Sequence, residues 1–222
     1  NSYQANGANG QFVVVMPDKD AVIVFTADSP DMWGEIGMIW EFLYPGISDE
    51  ALPADEASAN ELKQRLDALA LPLPPKNNNE AISSKVSGKT FTFDSNDKKI
   101  QSITLDFKDD LCFLNMKTDT ASFDFSFASG RWQMGETTKH GPSIFAQAVN
   151  NQNGLPPFKI AQAYTWRDEN TLELSLRYIE NVSSEKIVIR FDEIGKGKIL
   201  FDNGVAQSRF RRTPPLEGFM QK

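Results

Sequence analysis

From Phe91 to Phe201 apolar residues recur at every second position, and this alternation constrains the fold more than any other feature of the chain. Phe91 and Phe93, then Ile103, Leu105 and Phe107, then Phe123, Phe125 and Phe127 alternate with polar residues. Leu172, Leu174 and Leu176, then Ile187, Ile189 and Phe191, then Ile199 and Phe201 continue the pattern. Successive side chains of a strand point to opposite faces, so each run has one buried and one wet face. Ser95-Asn96-Asp97, Lys108-Asp109-Asp110, Ser129-Gly130 and Asp168-Glu169-Asn170 supply turns between the runs. The reading is about nine or ten antiparallel strands in an up-and-down barrel or a strongly curved sandwich. Gly141 to Pro157 interrupts it and reads as a short helix around Ser143 to Val149.

The chain before this region is organised differently, which makes the whole mainly β within an α+β class. Gln11 to Met16 and Ala21 to Phe25 are β-branched and aromatic runs around the turn Pro17-Asp18-Lys19-Asp20, and so form a hairpin. Ser29 reads as a helix N-cap with Pro30 at the first helical position, and Met32, Ile36, Ile39, Trp40 and Leu43 follow at helical spacing until Pro45-Gly46. Ser58-Ala59-Asn60-Glu61 has the capping-box pattern ahead of Leu62, Leu66 and Leu69. Pro72, Pro74, Pro75 and Lys76-Asn77-Asn78-Asn79 then read as a boundary. The expected division is residues 1–46, a linker with a short helix over 47–81, and a β domain over 82–222.

Composition removes several classes of function. The net charge is −7, and nucleic-acid binders usually carry a basic stripe, so no nucleic-acid partner is expected. One cysteine, Cys112, and one histidine, His140, leave no intrachain disulfide, no multi-thiolate or histidine-rich metal site, and no expected metal or cofactor. No apolar run reaches the roughly 20 residues of a membrane span.

The stretch Tyr3-Gln4-Ala5-Asn6-Gly7-Ala8-Asn9-Gly10-Gln11-Phe12-Val13-Val14-Val15-Met16-Pro17-Asp18-Lys19-Asp20, continuing through Ala21-Val22-Ile23-Val24 to Asp31-Met32-Trp33-Gly34-Glu35, resembles the end of the serine β-lactamase and penicillin-binding-protein fold. The resemblance is to class C β-lactamases and related esterases in particular, and it covers residues 1–46. In that family a Gly-rich strand edges the active site and leads through a hairpin into the final helix. Its backbone pairs with the substrate, and one of its N–H groups shares the oxyanion hole. The resemblance places the substrate strand on Ser2, Tyr3, Gln4, Ala5 and Gly7, with the family's Lys-Thr-Gly triplet on Ser2-Tyr3-Gln4 and the oxyanion donor on Ala5. Neither the triplet nor its cation is present at those positions.

The family's Ser-x-x-Lys nucleophile and Tyr-x-Asn element belong upstream of this strand, so no catalytic residue is expected within the chain. The implied function is the C-terminal part of a serine hydrolase acting on amide, peptide or ester bonds through an acyl-enzyme. Its location would be periplasmic or otherwise extracytoplasmic, and its first partner the missing upstream catalytic region. The chain opens on Asn1 with no signal peptide, which reads as a cut-down product. A homodimer formed by strand pairing is a second expected association, because a lone hairpin carrying Trp33, Ile36, Ile39, Trp40 and Phe42 exposes more apolar area than a soluble monomer tolerates. The competing class is a non-enzymatic binding or structural module built on the β domain.

Other motifs have plainer readings. Ser95-Asn96-Asp97-Lys98 and Ser183-Ser184-Glu185-Lys186 match Ser-x-x-Lys but fall in polar turns rather than at the start of a buried helix. Gly88-Lys89-Thr90 imitates a phosphate loop but leads into a strand. Asn181-Val182-Ser183 is a chance-level glycosylation triplet, Arg209, Arg211 and Arg212 read as a solvated edge, and His140 reads as a loop residue. Phe123, Phe125, Phe127, Trp132 and Trp166 either fill the barrel or line a ligand cavity, with packing the simpler account.

Overall fold

The computed structural model describes residues 1–27, 29, 31–142, 156–180, 184–193, 197–205 and 214–221. The chain divides into two units, Asn1–Pro72 and Leu73–Lys222.

In the first unit, β1 (Tyr3–Gly7), β2 (Gln11–Met16) and β3 (Ala21–Phe25) form an antiparallel sheet with β2 central. The β1–β2 turn needs left-handed backbone at Asn9 (φ 61°) and Gly10 (φ 88°), and a Cβ on Gly10 would lie 2.3 Å from Glu35 Oε2. The helix α1 (Met32–Met38) continues as a π turn over Ile39–Leu43 and a 3-10 turn over Tyr44–Gly46. Its N-cap is Asp31 rather than Ser29: the Asp31 carboxylate accepts from Gly34 N, while Ser29 Oγ accepts from Asp31 N. Phe12, Val14 and Met16 of β2 bury against Ile36 and Ile39. A second helix, α2 (Glu56–Asp67), is capped by Asp55, three residues ahead of the capping box read at Ser58, and buries no side chain.

The second unit is a closed nine-stranded barrel. Its strands are β4 (Lys89–Phe93), β5 (Ile100–Lys108), β6 (Leu111–Thr118), β7 (Ser122–Ser129), β9 (Phe158–Trp166), β10 (Thr171–Tyr178), β11 (Ser184–Glu193), β12 (Lys198–Val205) and β13 (Leu216–Met220), with β13 pairing back to β4. All these pairings are antiparallel except β7 with β9, which is parallel at Ala128–Ala163 and Ser129–Tyr164. The remaining strand, β8 (Gln133–Thr137), pairs with the other half of the same β9 edge, from Gln133–Gln162 to Thr137–Phe158.

The alternation read from sequence is the inward face of this barrel. Leu172, Leu174 and Leu176 stand opposite Ile189, Ile187 and Glu185, and Phe123, Phe125 and Phe127 opposite Met116, Leu114 and Cys112. Phe91, Phe127, Trp166, Phe191 and Phe201 are fully buried, each worth about 1.5 to 3 kcal/mol relative to exposure. Rings fill the centre: Phe107 stacks on Trp166 at 6.3 Å, Trp166 meets Phe191 at 5.6 Å, and Phe93 meets Phe201 at 5.4 Å. Phe125, Phe127 and Trp166 are therefore core, with Phe123 packed against it, while Trp132 lies under the Arg177 guanidinium outside that cluster.

The barrel unit starts at Leu73 rather than at Ile82, because the asparagine run is part of it. Asn77 Nδ2 donates to Trp166 O at 2.5 Å and Trp166 N returns a bond to Asn77 O. Ser129 Oγ donates to Asn78 Oδ1, and Asn79 Nδ2 donates to Glu169 O. Asn79 also caps α3 (Glu80–Val86), whose Val86 is wholly buried in the barrel core. The helix expected over Ser143 to Val149 lies outside the described residues, as do Asn181 to Ser183 and Arg209 to Arg212.

At the point where β9 changes neighbours, Gln162 (3% exposed) accepts from Ser126 N at 2.9 Å through Oε1. A Cβ on Gly135 would lie 2.7 Å from Gln162 Nε2, so β8 passes there on a glycine. Gln162→Leu leaves a strand N–H without its acceptor, and we expect a loss of about 1 to 3 kcal/mol in chemical denaturation of the whole chain. A variant within 0.5 kcal/mol of the parent, by the same order-of-magnitude scale, would show that the bond does not hold the branch.

Candidate functional site

Two regions carry the residues with chemical potential, one in each unit. In the first, β1 forms one outer edge of its sheet, with register Tyr3–Val15, Gln4–Val14, Ala5–Val13, Asn6–Phe12 and Gly7–Gln11. Ser2 precedes the strand, and Ser2, Tyr3, Gln4 and Ala5 are all exposed. Gly7 is half-buried, and a Cβ there would come 2.9 Å from Gln11 Cβ, so the close approach to β2 requires glycine. β1 thus presents an open backbone edge, with no cationic side chain within it.

Ser95 sits in the turn between β4 and β5, while Lys98 pairs with Asp202 at 3.8 Å. Burial pulls the Lys98 ammonium below the usual lysine range, with Asp202 and then Glu185 acting in the opposite sense. Lys186, the lysine of the second Ser-x-x-Lys copy, is engaged by Glu173 at 2.9 Å. Gly88 (φ 70°) turns the chain into β4, as its plain reading requires. Cys112 is fully buried, and burial, followed by Asp106, pushes its thiol far above the usual range. It cannot supply a thiolate. Among the described residues no group of three or more His, Cys, Asp or Glu side chains could hold a metal ion.

The second region is ionic and lies at one end of the barrel. Glu185 is 6% exposed, and both of its oxygens accept from Lys139 Nζ at 2.8 Å. Tyr178 Oη donates to the same carboxylate at 3.3 Å. Burial, with Glu185 beside it, pushes the Tyr178 hydroxyl far above the usual range, so it remains a donor. Lys139 belongs to the connection leaving β8. That connection is held further by the edge of His140 against Phe158 (5.0 Å between centroids) and by Gly141, where a Cβ would strike the Tyr178 ring at 2.9 Å. The cluster is fully satisfied and holds its proton donors in place, so its chemistry is structural.

On the other face of β10, Glu173 (7% exposed) binds Arg167 and Lys186. Burial alone would raise its pKa, but the hydrogen bond and charge of Lys186, with Arg167, outweigh it and hold the carboxyl below the ordinary glutamate range.

None of Lys139, Glu173, Tyr178 or Glu185 was singled out from sequence for a role. A signal existed for Glu185, which shares the parity of Ile187, Ile189 and Phe191 and so falls on the buried face. Glu173 has the opposite parity to Leu172 and Leu174, and only its neighbours across the strands explain its burial. The chain matches no family model, and no curated protein matches it.

Two outcomes follow. Lys139→Met leaves the Glu185 charge buried without its cation and should cost about 3 to 5 kcal/mol, whereas Lys139→Met with Glu185→Gln, which removes the charge and keeps an acceptor for the Tyr178 hydroxyl, should recover most of that in urea melts. Equal losses in the single and double variants would refute the pairing account. For Glu173 the folded pKa lies below the unfolded one, so its stabilisation is present above the ordinary glutamate range and is lost as pH falls through the folded pKa. Thermal melts from pH 6 down to about 2.5 should show a decline that Glu173→Gln makes shallower, and parallel curves would contradict the assignment.

Proposed function

We propose that residues 1–46 are the closing strands and last helix of a serine hydrolase domain of the β-lactamase and penicillin-binding-protein type. In this reading the barrel is a domain appended after the catalytic fold. The observation that supports it is the two-faced apolar character of the first sheet. Phe12, Val14 and Met16 are covered by α1, yet the opposite face carries Val13, Val22 and Val24, which are 39%, 62% and 63% exposed. A sheet apolar on both sides belongs in a fold with helices on both sides. Hairpin followed by helix is also the order in which the resembled fold ends.

In the parent enzyme the open edge of β1 would face substrate, with the Ala5 N–H as oxyanion donor. The acylated serine would come from an upstream segment of a longer gene product, working outside the cytoplasm on an amide, peptide or ester bond. The 222-residue chain alone is then catalytically incomplete, because donors that stabilise a tetrahedral intermediate achieve nothing without an attacking nucleophile. No helix of the described residues is long and apolar enough to cross a membrane.

The test is covalent labelling. The chain by itself should take no label from an acyl-serine probe and turn over neither chromogenic β-lactams nor short esters. The longer gene product should be labelled stoichiometrically at a serine upstream of Asn1. A labelled serine within the chain, or an unlabelled longer product, defeats the proposal and leaves a non-enzymatic module.

A further inference from the structure

The two outer edges of the first sheet differ in kind. β1 reads Tyr3-Gln4-Ala5-Asn6-Gly7, polar and ending in glycine, whereas β3 reads Ala21-Val22-Ile23-Val24-Phe25, with no charge, no proline and no glycine. Its register with β2 runs unbroken from Phe12–Phe25 to Met16–Ala21, so no bulge twists the edge away. Among the described residues no strand lies beyond β3. Edge strands in folded proteins are normally blunted by charges, proline, bulges or a cover, and β3 has no such blunting device in its sequence or its register.

We propose that the outer edge of β3 pairs antiparallel with the same edge of a second copy of the chain, with Ile23 on the twofold axis. The sequence is self-complementary in that register. Ala21 meets Phe25 of the second copy, Val22 meets Val24, Ile23 meets its equivalent, and Asp20 meets Thr26, so no like charges oppose one another. The pairing satisfies the outward N–H and C=O groups of both strands and yields a six-stranded sheet with closed twofold symmetry. Parity is preserved across the junction. Ala21, Ile23 and Phe25 extend the helix-covered core face of each copy, and Val22 and Val24, exposed in one copy, gain valine neighbours on the other face. A slip of one residue would set core-facing side chains against the valine face, so the register is specified.

This inference concerns the 222-residue chain and does not rest on the hydrolase reading: labelling of a longer product can fail while the dimer stands, and the reverse.

Sedimentation and light scattering of the intact chain over a concentration series should approach twice the 24.8 kDa of one copy. V22K/V24K changes two exposed side chains and sets lysines directly opposite one another across the pair, and it should weaken association at least about tenfold. V22K/V24E places opposite charges at the same two crossings and should restore association to within about threefold of the parent chain. A monomer at every concentration overturns the proposal. So does equal loss in both double variants, which would mark face-to-face stacking of the valine surfaces. As a readout free of variants, amide exchange at residues 21–25 should slow as concentration rises, and exchange independent of concentration overturns the pairing.

Discussion

The barrel depends on β9 having one edge that serves two strands. Its other edge pairs along most of its length with β10, from Trp166–Leu172 to Ile160–Tyr178. On the shared edge β7 closes the ring through a short parallel contact at Ala128–Ala163 and Ser129–Tyr164, and β8 takes the rest of the edge from Gln162. Such a branch leaves a part-buried backbone donor, Ser126 N–H, without a strand partner, at a cost of about 1 to 3 kcal/mol if unmet. The Gln162 amide accepts Ser126 N–H, and Gly135 leaves room for that amide. The connection from β7 to β9 can therefore carry β8 as an excursion, and the curvature that nine strands require is preserved.

The two ends of the barrel use different chemistry for the same purpose. At one end Asn77, Asn78 and Asn79 spend their amides on Trp166, Ser129 and Glu169, and α3 inserts Val86 beneath them. These are short neutral bonds that cost little desolvation. At the other end Lys139, Glu185 and Tyr178 form a charged triad against a nearly dry wall, where the gain comes from completeness: removing one partner exposes the full cost of the others. Between these ends the interior is aromatic. Even the Trp166 indole nitrogen is buried there with no hydrogen-bond partner among the described residues, a cost that the packing against Phe107 and Phe191 offsets.

The barrel was legible wherever a strand has one wet face. The runs at Phe91, Ile103, Phe123, Leu172, Ile187 and Ile199 all lie in strands of the barrel. β9 was not legible as a strand, because Ala161 and Ala163 on its outer side are as buried as Ile160 and Tyr164 on its inner side, and the alternation disappears. β8 and β13 are five-residue strands with glycine inside them, too short for period two to register. The asparagine run read as a linker because composition does not distinguish an amide facing water from one bonded to a strand carbonyl. At the first sheet the hairpin and helix were legible from their apolar runs. The exposure of the second sheet face was not, because Val13, Val22 and Val24 look from sequence like ordinary core residues.

That exposure sets the two units apart physically. In the barrel the nine ring strands pair in a closed circuit and most of the large apolar side chains form one buried cluster, so the fold is closed on its own terms. In the first unit the buried cluster is five residues, Phe12, Val14, Met16, Ile36 and Ile39, while Trp33 and Phe42 are 67% and 65% exposed. At about 25 cal/mol per Å² of apolar surface, covering those rings and the valine face is a large driving force beside the net stability of 5 to 15 kcal/mol typical of a domain. Exposed apolar surface of this kind is the usual mark of an interaction site or an aggregation liability. The argument for a catalytic domain upstream and the argument for pairing at β3 therefore draw on the same excess but on different parts of it. One uses the faces of the sheet, where helices would pack, and the other uses its edge, where only a strand can satisfy the backbone.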